Sequence, residues 1–200
     1  MDRTIKKAVF LDRDGVLIEL LRGNEAYGLL YKKEDCHVIP GVPDALRALK
    51  QKGYFLIVVT NQPAVARGLA SLEEVSQLND YINAQVGGHI DRFYFCPHHP
   101  EMHPDVPEHA KKFRIPCTCR KPGNGMLLQA AADVGIDLTA SWMVGDSITD
   151  IAAGKSAGCT TILIESPSNT RINISSTLFD PNIQPDYTAR NLSEAVSLIK

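Results

Sequence analysis

A chain of 200 residues with 21 basic and 23 acidic side chains, net charge −2, can bury one α/β core and is cramped for two. That balance gives no field favouring nucleic acid or an anionic membrane, and no run approaches the roughly 18 apolar residues of a membrane span, so a small molecule is the expected partner. The start, MDRTIKKAVF, sets charge directly against the first apolar run without a signal-peptide core, which predicts a cytoplasmic protein.

Taken in chain order, the first apolar run is Ala8–Leu11, a predicted strand that stops at Asp12-Arg13-Asp14-Gly15. Residues 19–39 form a long connection, read as a flap containing Gly23, Tyr27 and Gly28. A helix is predicted over Val42–Lys52 after the Pro40-Gly41 turn, then a strand over Phe55–Thr60. Ser71–Val86 carries Leu72, Val75, Leu78 and Ile82 on one helical stripe, and Ser71 with Glu74 makes a capping box. A strand at Arg92–Phe95 leads into a polar, proline-rich segment, 97–116, with four histidines in its first thirteen residues, too long for an idle loop. The helix Asn124–Val134, the strand Trp142–Val144, the helix Ile148–Ala157, the strand Thr161–Ile164 and the helix Asn191–Ile199 follow, and Asn191 with Glu194 again resembles a capping box.

Strands alternating with helices imply βαβ units: one domain over 1–200 with a doubly wound, mostly parallel, Rossmann-like sheet and helices on both faces. Ligands in such sheets sit beyond the carboxyl ends of the strands. The chemically interesting residues of this chain cluster there: Asp12 and Asp14 after the first strand, Thr60 and Asn61 at the second, Gly145, Asp146 and Asp150 after the fourth.

A carboxylate at a strand end, on a turn opened by Gly15, can attack phosphorus and form an aspartyl-phosphate, and a second carboxyl two residues on can protonate the leaving oxygen and later take a proton from water. Asp12 is the expected nucleophile and Asp14 the expected acid/base. A phosphate dianion about 4 Å from an ionised carboxylate meets about 4 kcal/mol of repulsion per charge pair at an effective dielectric near 20, so a cation is needed. Mg²⁺, which takes a few carboxylate oxygens plus phosphate, suits this, with Asp146 as a further carboxylate ligand. Thr60, Asn61 and the Arg120-Lys121 pair are candidates to hold the phosphoryl group. An isolated DxD is more often a solvated step from strand to turn. Four such elements in order are improbable by accident.

FLDRDGV, VVTNQ, CRKP and MVGDSITD resemble the four motifs of the haloacid dehalogenase superfamily of aspartyl-phosphate phosphatases. The resemblance implies Asp12 as nucleophile and Mg²⁺ ligand, and Asp14 as acid/base that also gives its main-chain carbonyl to the metal. It implies phosphoryl or substrate contacts from Thr60, Asn61 and Gln62, charge neutralisation by Lys121, and completion of the Mg²⁺ site by Asp146. Asp150 is either support for that site or a solvated helix acid.

The five cysteines, an odd number, do not suggest a disulfide framework in a reducing compartment. Cys36 and Cys159 are isolated, and Cys159 reads as a small hydrophobe. Cys96, His98, Cys117 and Cys119 are the ligand set of a closed, structural Zn²⁺ site, with His99 competing for the imidazole position and His103 and His109 read as solvated. The alternative is a set of reduced, exposed thiols beside surface histidines. Zinc holding the 96–119 loop would deliver Arg120 and Lys121 with little ordering cost.

CPHHP, then CxCRKPxxGML, with DRDGV and TNQxxxARG, narrows the resemblance to the D-glycero-D-manno-heptose 1,7-bisphosphate 7-phosphatases and related histidinol-phosphate phosphatases over nearly the whole chain. That subgroup implies no large cap domain, substrate recognition by Arg120, and a small phosphorylated metabolite from the heptose route to lipopolysaccharide precursors; a monomer is expected. Val16, the PAVARG segment, Ser147 and the long loop between His98 and Cys117 depart from its usual pattern. Histidinol phosphate is the alternative substrate. A phospho-accepting receiver is disfavoured by Asp14, and a P-loop kinase, suggested by AGKSAG, by Thr149 where its motif needs glycine. Chelating the zinc is expected to lower both turnover and melting temperature, and unchanged values of both would remove its assigned role.

Overall fold

Ala8–Leu11 form strand β1, and all four residues are fully buried because the strand is covered on both faces. The computed structural model describes residues 5–20, 32–100, 106–165 and 183–200. Strand β2 (Phe55–Asn61) pairs with one side of β1 and β4 (Trp142–Gly145) with the other; β3 (Arg92–Cys96) lies outside β2, and β5 (Thr160–Ile164) and β6 (Tyr187–Ala189) continue beyond β4. The order is β3-β2-β1-β4-β5-β6 and every pairing is parallel. The chain moves outward in one direction from β1 to β3 and then crosses back to β4, so a crevice opens at the carboxyl ends beside β1.

The two-residue side-chain period of β1 divides the core. Val9 and Leu11 face helices α1 (Val42–Gln51), α2 (Leu72–Gln85) and α6 (Leu192–Leu198) through Leu46, Leu49, Leu78, Ile82 and Leu192. Ala8 and Phe10 face α4 (Gly125–Val134) and α5 (Ile148–Ala157) through Met126, Leu127, Ala130 and Ala153. A short helix, α3 (Glu108–Lys111), lies within the proline-rich segment. No helix among the described residues is long and apolar enough to cross a membrane.

Local signals match the sequence reading with instructive exceptions. The Ser71–Glu74 box closes in both directions, with Glu74 N donating to Ser71 Oγ at 3.1 Å and Ser71 N to Glu74 Oε2 at 2.7 Å. The one at Asn191 closes in one: Glu194 N donates to Asn191 Oδ1 at 2.9 Å, while the Glu194 carboxylate turns back to Arg190. Leu72, placed on the apolar stripe of α2, is 43% exposed because it opens the helix, and Asn79 occupies a buried position on that stripe instead. The AGKSAG segment is mostly inside α5 rather than a phosphate-binding loop. Of the predicted flap, 21–31 lie outside the described residues, including Gly23, Tyr27 and Gly28, as does His103. The remaining part pairs its two ends with each other just after β1, where Glu19 N donates to His37 O at 2.9 Å and Ile39 N to Leu17 O at 3.0 Å.

Candidate active site

Strand β1 delivers Asp12 directly into the crevice, its amide donating to Val144 O of β4 at 2.9 Å. Asp12 Oδ1 accepts from Arg13 N at 2.7 Å and from Lys121 Nζ at 2.8 Å, and neither bond uses Oδ2. Gly15 turns the chain away with φ of +86°; a Cβ there would stand 2.2 Å from Asp146 Oδ2, so glycine is what allows the first and fourth strand ends to converge.

Lys121 reaches the crevice from the loop before α4 and is 3% exposed. Its ammonium donates to Val59 O at 2.7 Å and forms ion pairs with Asp12 Oδ1 at 2.8 Å and Asp150 Oδ1 at 2.6 Å. The Lys121 backbone is clasped by one side chain: Asn61 Nδ2 donates to Lys121 O and Lys121 N donates to Asn61 Oδ1, each at 3.0 Å. Asn61 therefore spends both ends of its amide on locating the lysine. Gly123 tightens the same loop, since a Cβ there would lie 2.3 Å from Thr118 O.

Asp150 is fully buried, so the reading of it as a solvated helix acid is set aside. Its Oδ2 accepts from Ser147 N at 3.0 Å while Ser147 Oγ accepts from Thr149 N at 3.1 Å, a capping arrangement that starts α5 and aims Oδ1 at Lys121. A Cβ at Gly145 would sit 2.2 Å from Asp150 Cβ, so this approach too requires glycine.

Asp14 faces other partners. Its Oδ1 accepts from Arg13 Nε at 3.3 Å and Nη2 at 3.2 Å, and its Oδ2 from Gln62 Nε2 at 2.9 Å and, weakly, Thr60 Oγ1 at 3.5 Å. Gln62 Nε2 also donates to Thr60 Oγ1 at 2.9 Å. Sequence reasoning found Asp12, Asp14, Thr60 and Asp146 by their places at strand ends, and Lys121 by the CRKP motif. It gave no role to Arg13 or Asn79, whose contact across 66 positions has no local signature.

Carboxylates crowd the crevice. Asp12, Asp146 and Asp150 each offer an oxygen within 4.8 Å of the others, against one ammonium. Burial, and then Asp150 and Asp14, push Asp12 up to about 7 in spite of Lys121. Burial followed by the charges of Asp12 and Asp150 pushes Asp146 up to about 8. Lys121 is pulled down by burial, but Asp12 and Asp150 outweigh this and hold it above the ordinary lysine range. The excess of hard oxygen donors fits a divalent cation of the Mg²⁺ type.

The second cluster lies just before Lys121 in sequence. Cys96 Sγ is 3.1 Å from Cys119 Sγ and 3.6 Å from Cys117 Sγ, which are 3.4 Å from each other; His98 Nδ1 is 3.3 Å from Cys119 Sγ and 3.7 Å from Cys96 Sγ. Ligands of one tetrahedral zinc stand roughly 3.5–3.8 Å apart, given bonds of about 2.3 Å to sulfur and 2.0 Å to nitrogen. The donor set fits Zn²⁺, and the separations of 3.1–3.7 Å run a few tenths of an ångström tighter than that spacing. His98, rather than His99, joins the thiols; the His99 amide donates to Phe113 O at 3.1 Å. Arg120 Nη1 donates to His98 O at 3.4 Å, which ties that cation to the cluster.

A family model for HAD-hydrolase-like proteins matches residues 118–195. The D-glycero-beta-D-manno-heptose-1,7-bisphosphate 7-phosphatase of Haemophilus influenzae is 42% identical over 153 residues, 75% of this chain and 76% of its own length. The D-glycero-D-manno-heptose-1,7-bisphosphate 7-phosphatase of Thermosynechococcus vestitus is 37% identical over 198 residues, 97% of this chain and 95% of its own. The crystal structure of the D,D-heptose 1,7-bisphosphate phosphatase of B. bronchiseptica, complexed with magnesium and phosphate, superposes with a TM-score of 0.73 at 25% identity, covering 96% of this chain and 97% of that one.

Because the folded pKa values of Asp12 and Asp146 are raised, the metal-free protein gains stability below the unfolded carboxylate value near 3.8 and loses that gain as pH rises through about 7 and 8. In EDTA the melting temperature is expected to fall between pH 5.5 and 8.5, by roughly 2–4 °C for each kcal/mol lost, and Mg²⁺ is expected to raise it more at the upper end. A flat profile with no Mg²⁺ response would contradict these electrostatics.

Proposed function

The chain belongs to the D-glycero-D-manno-heptose-1,7-bisphosphate 7-phosphatase family of haloacid dehalogenase-like hydrolases, and on that footing we propose that it hydrolyses the 7-phosphate of that heptose bisphosphate through an aspartyl-phosphate on Asp12. The observation that carries the reading is the convergence of Asp12, Asp146 and Asp150 on one crevice around the buried ammonium of Lys121, with a second acid, Asp14, two residues after the first.

Lys121 holds Asp12 Oδ1, which leaves Oδ2 to attack phosphorus. As the bond between phosphorus and the sugar oxygen breaks, Asp14 gives its proton to that oxygen. Asp14 then takes a proton from water, whose oxygen displaces Asp12 and releases phosphate. The Thr60 hydroxyl and the Lys121 ammonium receive the charge of the phosphoryl oxygens, and Asp150 keeps Lys121 aligned and protonated. The carboxylates of Asp12 and Asp146 and the main-chain carbonyl of Asp14 would hold Mg²⁺, which would supply charge neutralisation between phosphate and the surrounding acids. Cys96, His98, Cys117 and Cys119 would hold a structural Zn²⁺ that would steady the loop carrying Arg120, the residue assigned to recognise the rest of the substrate.

Phosphate release measured on the heptose bisphosphate and on histidinol phosphate tests the substrate. A preference of about 100-fold or more in kcat/KM for the bisphosphate is expected, and an equal or reversed preference would move the assignment to the second compound. Asp14→Asn is expected to lower kcat by roughly 10²–10⁴ while phosphate and Mg²⁺ still bind. Full turnover in that variant would remove the acid/base role.

A further inference from the structure

The crevice contains two buried cations, and only one of them is on Asp12. The other, Arg13, is fully buried, with no exposed surface at all, although it lies between two acids at the tip of a strand. A buried guanidinium is tolerated only when its charge and its hydrogens are matched. Two of its nitrogens, Nε at 3.3 Å and Nη2 at 3.2 Å, converge on Asp14 Oδ1, and Nη1 donates to Asn79 Oδ1 at 3.1 Å.

Asn79 sharpens the point. It is 2% exposed and shares its helix face with Val75, Leu78 and Ile82, where an apolar side chain would suit the core better. Among the described residues its Nδ2 has no hydrogen-bond partner, a further cost of keeping a carboxamide there. What the carboxamide contributes is an acceptor that fixes the guanidinium from the side opposite Asp14. The Asp14 side chain is 23% exposed and lies against the positive-φ turn at Gly15, so nothing in its own backbone would hold it still. With the Arg13 fork on Oδ1 and Gln62 on Oδ2 at 2.9 Å, both oxygens have fixed donors.

We propose that Arg13 and Asn79 are positioning residues that set the orientation of the Asp14 carboxyl for proton exchange, as Lys121 and Asp150 set that of Asp12. This rests on the reading of Asp14 as acid/base. Neither residue touches substrate in this scheme, so their removal acts on kcat and leaves KM nearly unchanged.

The test uses the full-length, Mg²⁺-loaded protein and two substrates, the heptose bisphosphate and p-nitrophenyl phosphate. Nitrophenolate leaves without a proton, so the first chemical step on that substrate does not need Asp14, whereas attack by water needs it on both. In Asn79→Leu, kcat on the bisphosphate is expected to fall roughly 10-fold or more with KM within about twofold. On p-nitrophenyl phosphate, stopped flow is expected to show a burst of nitrophenolate approaching one per active site before slow turnover. Arg13→Lys, which keeps charge and loses the fork, is expected to lie between wild type and Arg13→Met. If Arg13→Met does not fold, Asn79→Leu and Arg13→Lys carry the test.

Wild-type kcat in both of those variants would overturn the proposal, as would equal losses on the two substrates with no burst, the pattern of a merely damaged fold. Asp14→Asn separates this from the parent reading. If it is inactive while Asn79→Leu is normal, only the positioning role fails; if it is fully active, the acid/base assignment fails first.

Discussion

A buried lysine ammonium, paired with two carboxylates and donating to one backbone carbonyl, is the interaction on which the rest of this crevice depends. Its acceptors come from three different parts of the chain: Asp12 after β1, Val59 within β2, and Asp150 in the first turn of α5. Removing the ammonium would leave the buried carboxylates of Asp12 and Asp150 without the cation that pairs with both. Keeping it makes one geometry for the ends of β1, β2 and β4 much better than the rest.

Much of the surrounding structure serves to deliver that group. Asn61 grips the Lys121 backbone at both its amide and its carbonyl, which couples the end of β2 to the loop before α4. The thiol and imidazole cluster closes the same loop from the other side, and Arg120 leans on the carbonyl of His98. Glycines at 15, 123 and 145 mark where neighbouring segments come too close for a side chain. Substrate charge therefore meets donors already in place, the condition under which electrostatic stabilisation costs no reorganisation.

The sequence revealed the sheet because its strands are short, strongly apolar runs, and revealed the strand-end residues because polar groups stand out where such runs stop. Strand β6 escaped notice: only three residues long, with Tyr187 and Thr188 exposed, it shows no apolar pattern and depends on pairing with β5. Helix α3 is a single turn within a proline-rich segment. For Asp150, the Ser147-x-x-Asp150 spacing held a legible capping signal, but its ion pair with Lys121 is purely tertiary. The contact of Arg13 with Asn79 spans 66 positions and has no local signature; only the fold brings them together. The choice between His98 and His99 was likewise decided by which ring faces the thiols.

The most direct measurement is mass spectrometry of protein quenched in acid during turnover with Mg²⁺ and p-nitrophenyl phosphate, using Asp14→Asn to slow attack by water. We expect the mass of one phosphoryl group on the peptide containing Asp12, lost on treatment with hydroxylamine. A phosphoryl group on another residue, or none while nitrophenolate is still released, would contradict Asp12 as the group that attacks phosphorus.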